Sequence, residues 1–224
     1  MQIEKENSRT VIRVAGVFIG FFILIISLSL GNLIFSKFYN SAQKDIPILF
    51  YELIVLSATM ISIFYMVWKY KFIPKFIKRS FKESIMISGA GIVIIWFLWL
   101  FFLTNYYQGK SSSLFVQSLL NLPTKKFIIG SILTIILGPM LEEILDRGFF
   151  FELMKIRWNT TISLVITLLF SLITHVGTIH NNVDFIFHIL NVIIFSVLYM
   201  KGGLLASILP HMFVNLYSVY IISR

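Results

Sequence analysis

Val17-Phe-Ile-Gly-Phe-Phe-Ile-Leu-Ile-Ile-Ser-Leu-Ser-Leu30 is an apolar run with no charge and no alternation of polar and apolar positions. A helix that crosses a bilayer needs about 20 predominantly apolar residues, and this run sits inside a longer apolar stretch from about 14 to 35. A membrane β-barrel would instead show alternating segments of roughly 10 residues. The stretch therefore predicts a helical span. Lys5, Arg9 and Arg13 precede it as they would a secretory leader, but it is too long for one and shows no small-residue cleavage site, so it is expected to be retained.

The rest of the chain implies the same solvent. Of 224 residues, 58% are hydrophobic and only 13% charged, with a mean hydropathy of +0.88. A water-soluble domain of this size could not carry so apolar a surface. Apolar runs at approximately 14–35, 47–68, 84–105, 127–153, 160–180, 183–200 and 203–222 predict an all-α, polytopic transmembrane bundle of about seven spans. We divide it into N-terminal spans and connectors (1–126) and a helical core that carries the chemistry (127–224). The connector from Gln108 to Lys126 reads as a short interfacial helix, and His180-Asn-Asn-Val-Asp184 as a tight polar turn. No internal repeat of the kind used by secondary transporters is evident.

The chain has 19 Lys and Arg against 10 Asp and Glu. In a membrane protein such an excess marks cytoplasmic loops and contact with anionic headgroups, not nucleic acid. With the N-terminus inside, twelve of these cations fall in inner segments and six in outer ones, with Arg147 in a span, which favours that orientation. Cysteine is absent from the sequence, which excludes thiol catalysis and disulfides.

Ionisable groups within hydrocarbon cost about 2.5–3.5 kcal/mol each on insertion scales, so each needs a reason to be there. The fourth span carries four together, in Gly138-Pro-Met-Leu-Glu142-Glu143-Ile-Leu-Asp146-Arg147-Gly148. Glu143 and Arg147 lie one turn apart, in the orientation that favours an ion pair, and Glu142 is rotated by about 100° to face elsewhere. The fifth span contributes Phe170-Ser-Leu-Ile-Thr174-His175, with the histidine deep in an apolar run, and the seventh contains His211 and Asn215, four apart and hence on one face. Taken singly, each is explained as inter-helical glue. Together, a carboxylate, a histidine and a His/Asn donor pair supply what hydrolysis of an amide by water requires: a base for the water and donors for the oxyanion. His188, Asn191 and Glu52 are expected to be structural, the first two through hydrogen bonds between helices.

At these residues the chain resembles the CPBP family of CAAX proteases, bacteriocin-processing enzymes and self-immunity proteins. That family carries Glu-Glu-x-x-x-Arg, Phe-x-x-x-His and His-x-x-x-Asn on successive spans. The first and third are present as Glu142-Glu143-x-x-x-Arg147 and His211-x-x-x-Asn215, and the flank from Tyr199 to His211 is similar too. The second departs: Ser171 stands where the aromatic is expected, with Phe170 one place earlier and His175 at the usual distance. Asp146 is also unusual for that position.

The resemblance covers about residues 127 to 220. It implies an intramembrane endopeptidase in which Glu142 and His175 activate water. It also implies that His211 and Asn215 stabilise the oxyanion, with Glu143 and Arg147 as structural support. Either a glutamate-type mechanism or a divalent metal such as zinc, held by Glu142, His175 and His211, is compatible with these residues. The implied substrate is a membrane-associated peptide or protein, cut in peptide maturation or self-immunity at a bacterial plasma membrane. Two other classes remain open: a non-proteolytic immunity or scaffold protein that binds a toxin or partner, and a proton-coupled transporter.

Overall fold

The computed structural model describes residues 78–106, 124–175 and 182–222, with isolated positions between 57 and 68. The expected spans at 14–35 and 47–68, Glu52 and most of the 108–126 connector lie outside the described residues, and His180 and Asn181 do so as well. Every described element is a helix. We label them α1 (Phe81–Tyr106), α2 (124–157), α3 (Thr160–Thr174), α4 (Asn182–Gly202) and α5 (Leu204–Ile222).

The ends of these helices follow from local chemistry. Ser80 opens α1 as half of a reciprocal cap: its hydroxyl accepts from the Glu83 backbone N–H at 3.2 Å, and the Glu83 carboxylate accepts from the Ser80 N–H at 3.1 Å. Between α2 and α3 the chain turns at Trp158, which is extended, and Asn159 caps α3 by accepting from the Ile162 N–H. The reversal from α4 to α5 takes a single residue. Gly203 has φ of 86°, a left-handed conformation that glycine enters without a Cβ penalty, and its N–H closes the last turn on the Tyr199 carbonyl.

The long helix α2 changes register twice. Its α-helical segments Thr124–Ile132, Gly138–Glu143 and Glu152–Arg157 are separated by π-helical turns at Leu133–Leu137 and Ile144–Phe151, and the junction residues keep right-handed helical dihedrals. The first π turn has a visible cause. Pro139 has no N–H and in α register its ring would meet the carbonyl four residues back; here the N–H of Gly138 instead reaches five residues back, to Leu133.

Helices α1, α4 and α5 pack against one another, α5 also lies along the middle of α2, and α3 packs on the second π turn and on α4. The seam between α1 and the α4–α5 turn is built from small residues. Ser84 Oγ donates to the Gly202 carbonyl at 2.9 Å, Ser88 Oγ approaches the Leu205 carbonyl at 3.3 Å, and a Cβ at Gly91 would stand 2.5 Å from Leu198. The opposite side of α1 exposes Phe81, Met86, Val93, Ile94 and Phe97. Polar residues inside and apolar residues outside are the arrangement lipid selects.

Among the described residues three helices are long and apolar enough to cross a membrane, Phe81–Phe101, Phe127–Arg157 and Asn182–Gly202, which makes this an integral membrane protein. The expected boundaries need correcting at several places. The span anticipated at 160–180 ends as a helix at Thr174, with His175 at its C-cap, and its 15 residues fall short of a full crossing. Asn182, Val183 and Asp184, read as part of a turn, open α4, where Asp184 meets the positive end of the helix dipole. The fourth span begins at Phe127 as expected but runs on to 157, because Lys155 and Arg157 can reach the interface without breaking the helix.

These packings leave Leu145 to Phe151 buried without a break. That turn of α2 is enclosed by protein, and Asp146 and Arg147 lie within it.

Candidate active site

Glu143 and Arg147 form the ion pair anticipated from their spacing: Arg147 Nη1 donates to Glu143 Oε1 at 2.9 Å, and both side chains are buried. Asp146, also buried, accepts from the same Nη1 at 3.3 Å. His211, from α5, completes the knot through its Nδ1, 2.9 Å from Glu143 Oε1. A carboxylate oxygen can only accept, so Nδ1 is the protonated nitrogen and donates. The imidazole is further fixed by stacking on Phe195, with ring centroids 4.8 Å apart. Asp146, the unusual residue in the motif, is thereby tied to the guanidinium.

Glu142 faces the other way, as its rotation along the helix anticipates. Its side chain is 40% exposed, against 0% for Glu143. Its Oε2 lies 3.7 Å from His211 Nε2 and 3.8 Å from His175 Nε2. At His175 the Nδ1 is 2.9 Å from the Ser171 carbonyl, which again can only accept, so this Nδ1 also donates. In the neutral form each imidazole carries a lone pair on the Nε2 that faces Glu142. Two imidazole nitrogens and one carboxylate oxygen converge across gaps longer than a direct hydrogen bond. All are acceptors, so whatever sits among them has to supply hydrogen or positive charge.

Asn215, one turn beyond His211, also faces α2. Its Nδ2 donates to the Thr134 carbonyl at 2.9 Å. In the π register of that turn the carbonyl of residue 134 points at the nitrogen of residue 139, which is proline and has no hydrogen to give. Asn215 provides one. An amide nitrogen carries two hydrogens, so one remains for another acceptor.

The second motif's departure from the family pattern has a structural counterpart. Phe170 is buried and stacks on Phe150 of α2 at a centroid distance of 4.5 Å, pointing into the core. Ser171 turns toward the site, where its hydroxyl shares a 3.1 Å hydrogen bond with His188 Nε2 of α4. The His188 ring lies against that of His175, with centroids 4.6 Å apart. His188 does bond between helices, as expected, and it does so beside the site. The roles of Ser171, His188 and Thr134 carry no sequence signal of their own; a one-turn spacing between Ser171 and His175 is the only trace.

Two imidazoles and a carboxylate are ligands of the type zinc selects. Yet among the described residues no three His, Asp or Glu side chains are gathered to hold one ion. The 3.7 and 3.8 Å separations at Glu142 also exceed the spacing of about 3.4 Å that tetrahedral bonds of 2.0–2.1 Å impose. The arrangement as it stands does not fit a metal centre.

A buried carboxylate–guanidinium knot, with an open glutamate flanked by two oriented imidazoles inside a membrane helix bundle, defines a class: an integral membrane protein with a polar cluster among its helices. Residues 124–217 match a family model described as type II CAAX prenyl endopeptidase Rce1-like, so the resemblance carried by the three motifs stands on this segment. No curated protein and no solved structure matches the chain.

Proposed function

We propose that this protein is an intramembrane endopeptidase that hydrolyses a peptide bond in a membrane-associated peptide or protein. The observation that carries the reading is Glu142 Oε2 facing the Nε2 atoms of His175 and His211, both rings held by their Nδ1–H groups. The described segment's likeness to a prenyl endopeptidase family supports it.

In this reading a water molecule enters among the three acceptors and gives a proton to Glu142, with His175 orienting it through Nε2. The hydroxide oxygen bonds to the substrate carbonyl carbon, and the carbonyl electrons move onto oxygen. Asn215, through its second amide hydrogen, and His211, when Nε2 carries a proton, donate to that oxyanion. Collapse breaks the C–N bond, and the proton on Glu142 passes to the leaving amine. Glu143, Asp146 and Arg147 keep α2 and His211 in place without touching the substrate.

The fitting setting is maturation of a small peptide or bacteriocin, or self-immunity, in a bacterial plasma membrane with the N-terminus on the cytoplasmic side. Purified protein incubated with a membrane-peptide pool tests the reading. Cleavage is expected, its loss is expected in Glu142→Ala and His211→Ala that remain folded, and activity is expected to persist in chelator. Loss in chelator with return on zinc would replace the glutamate-only chemistry with a metal-dependent one. Folded Glu142→Ala that still protects cells from a toxin would favour the non-proteolytic immunity or scaffold protein.

A further inference from the structure

One histidine beside Glu142 has no part in the proposed hydrolysis. His188, half-buried on α4, reaches across to α3, where its Nε2 bonds the Ser171 hydroxyl and its ring covers that of His175. His175 and His211 sit at different places in their helices. His211 lies within a helix, and its Nδ1 donates to a buried carboxylate. His175 is the C-cap of α3, with φ of −106° and ψ of 8°.

What orients the His175 ring is the Ser171 carbonyl at 2.9 Å, with Thr174 Oγ1 at 3.1 Å from the same Nδ1. Thr174 also donates to that carbonyl at 3.0 Å, so the His175 N–H shares its acceptor. A shared acceptor at a helix end is a weak restraint, and rotation about the side-chain bonds would swing Nε2 away from Glu142. The His188 ring lies against that of His175, with centroids 4.6 Å apart. Ser171 serves both histidines at once: its carbonyl binds one and its hydroxyl anchors the other.

We propose that His188 is a positioning residue that, anchored by Ser171, locks the His175 imidazole in the orientation facing Glu142. This rests on the reading of Glu142 and His175 as the water-activating pair, but it can be tested without any substrate.

The full-length protein, labelled with nitrogen-15 in its four histidine rings and held in lipid nanodiscs, is observed by long-range proton–nitrogen correlation, with signals assigned by single substitutions. His175 and His211 are both expected as Nδ1–H tautomers. In His188→Ala and in Ser171→Ala, the Nδ1–H to Nε2–H ratio of His175 is expected to fall roughly three- to ten-fold, the weight of one hydrogen bond, with His211 unchanged. Ser171→Ala leaves the carbonyl in place, so its effect on His175 must pass through His188, and it carries the test should His188→Ala not fold. An unchanged His175 in Ser171→Ala, or an equal change at His175 and His211, overturns the proposal. A wild-type protein that cleaves no peptide yet shows the selective His175 response would sink the hydrolytic reading and leave this one standing.

Discussion

Glu142 and Glu143 are neighbours in sequence and opposites in environment. Glu143 is sealed in a knot where Arg147 and His211 both donate to one of its oxygens; Glu142, one step around the same helix, meets two acceptor nitrogens across gaps too long for direct bonds. The sealed side ties helices together: Arg147 and His211 both donate to Glu143 Oε1, which holds α2 to α5, while Glu143 Oε2 and Arg147 Nε are buried without a hydrogen-bond partner. On the Glu142 side the groups converge without bonding one another, the arrangement that the proposed hydrolysis requires. Charge alone does not tell the two glutamates apart; exposure and hydrogen-bond partners do.

The comparison can be broken at either side. The largest effect is expected from Arg147→Ala, which strands Glu143 and Asp146 as buried charges and should cost about 3–5 kcal/mol, enough to abolish the fold in detergent. A thermal unfolding midpoint within a few degrees of wild type would show that the knot is not structural. Glu142→Gln should do the reverse, leaving stability within about 0.5 kcal/mol while lowering peptide cleavage by roughly 10²–10⁴-fold. Equal losses of stability in both variants would erase the distinction between the two glutamates.

Asn215→Ala sharpens it at the edge of the site. It removes the hydrogen that Pro139 cannot give to the Thr134 carbonyl, and about 1 kcal/mol of stability should go with it. Cleavage should fall by more than that figure explains if the amide also serves the oxyanion, and by no more if it is only a clamp. The smallest effect is expected at Gly203→Ala, far from either glutamate. Forcing a Cβ into φ of 86° should cost about 1–2 kcal/mol of stability in the α4–α5 turn, while the cleavage rate of the folded fraction stays unchanged. A lower rate per folded molecule would tie the turn to the site.

What the sequence by itself determined is set by periodicity and composition. Runs such as Phe81 to Phe101 can only be helices in lipid, because no other backbone satisfies its own polar groups there, and the i, i+4 spacing of Glu143 with Arg147 and of His211 with Asn215 assigns each pair to one face. The family motifs were legible for the same reason. The tertiary structure alone decided how those faces meet. The π turns hinge on Pro139 and on packing around Ile144–Phe151, and they set where Glu142 and Thr134 point. The end of α3 at Thr174, inside a sequence that stays apolar beyond it, was hidden as well. So were the joining of Ser171 to His188 and the covering of His175, since these contacts cross between helices at separations that no local pattern records. Helix formation is a local choice of backbone bonds in hydrocarbon; which side chains share a proton is a choice made by packing.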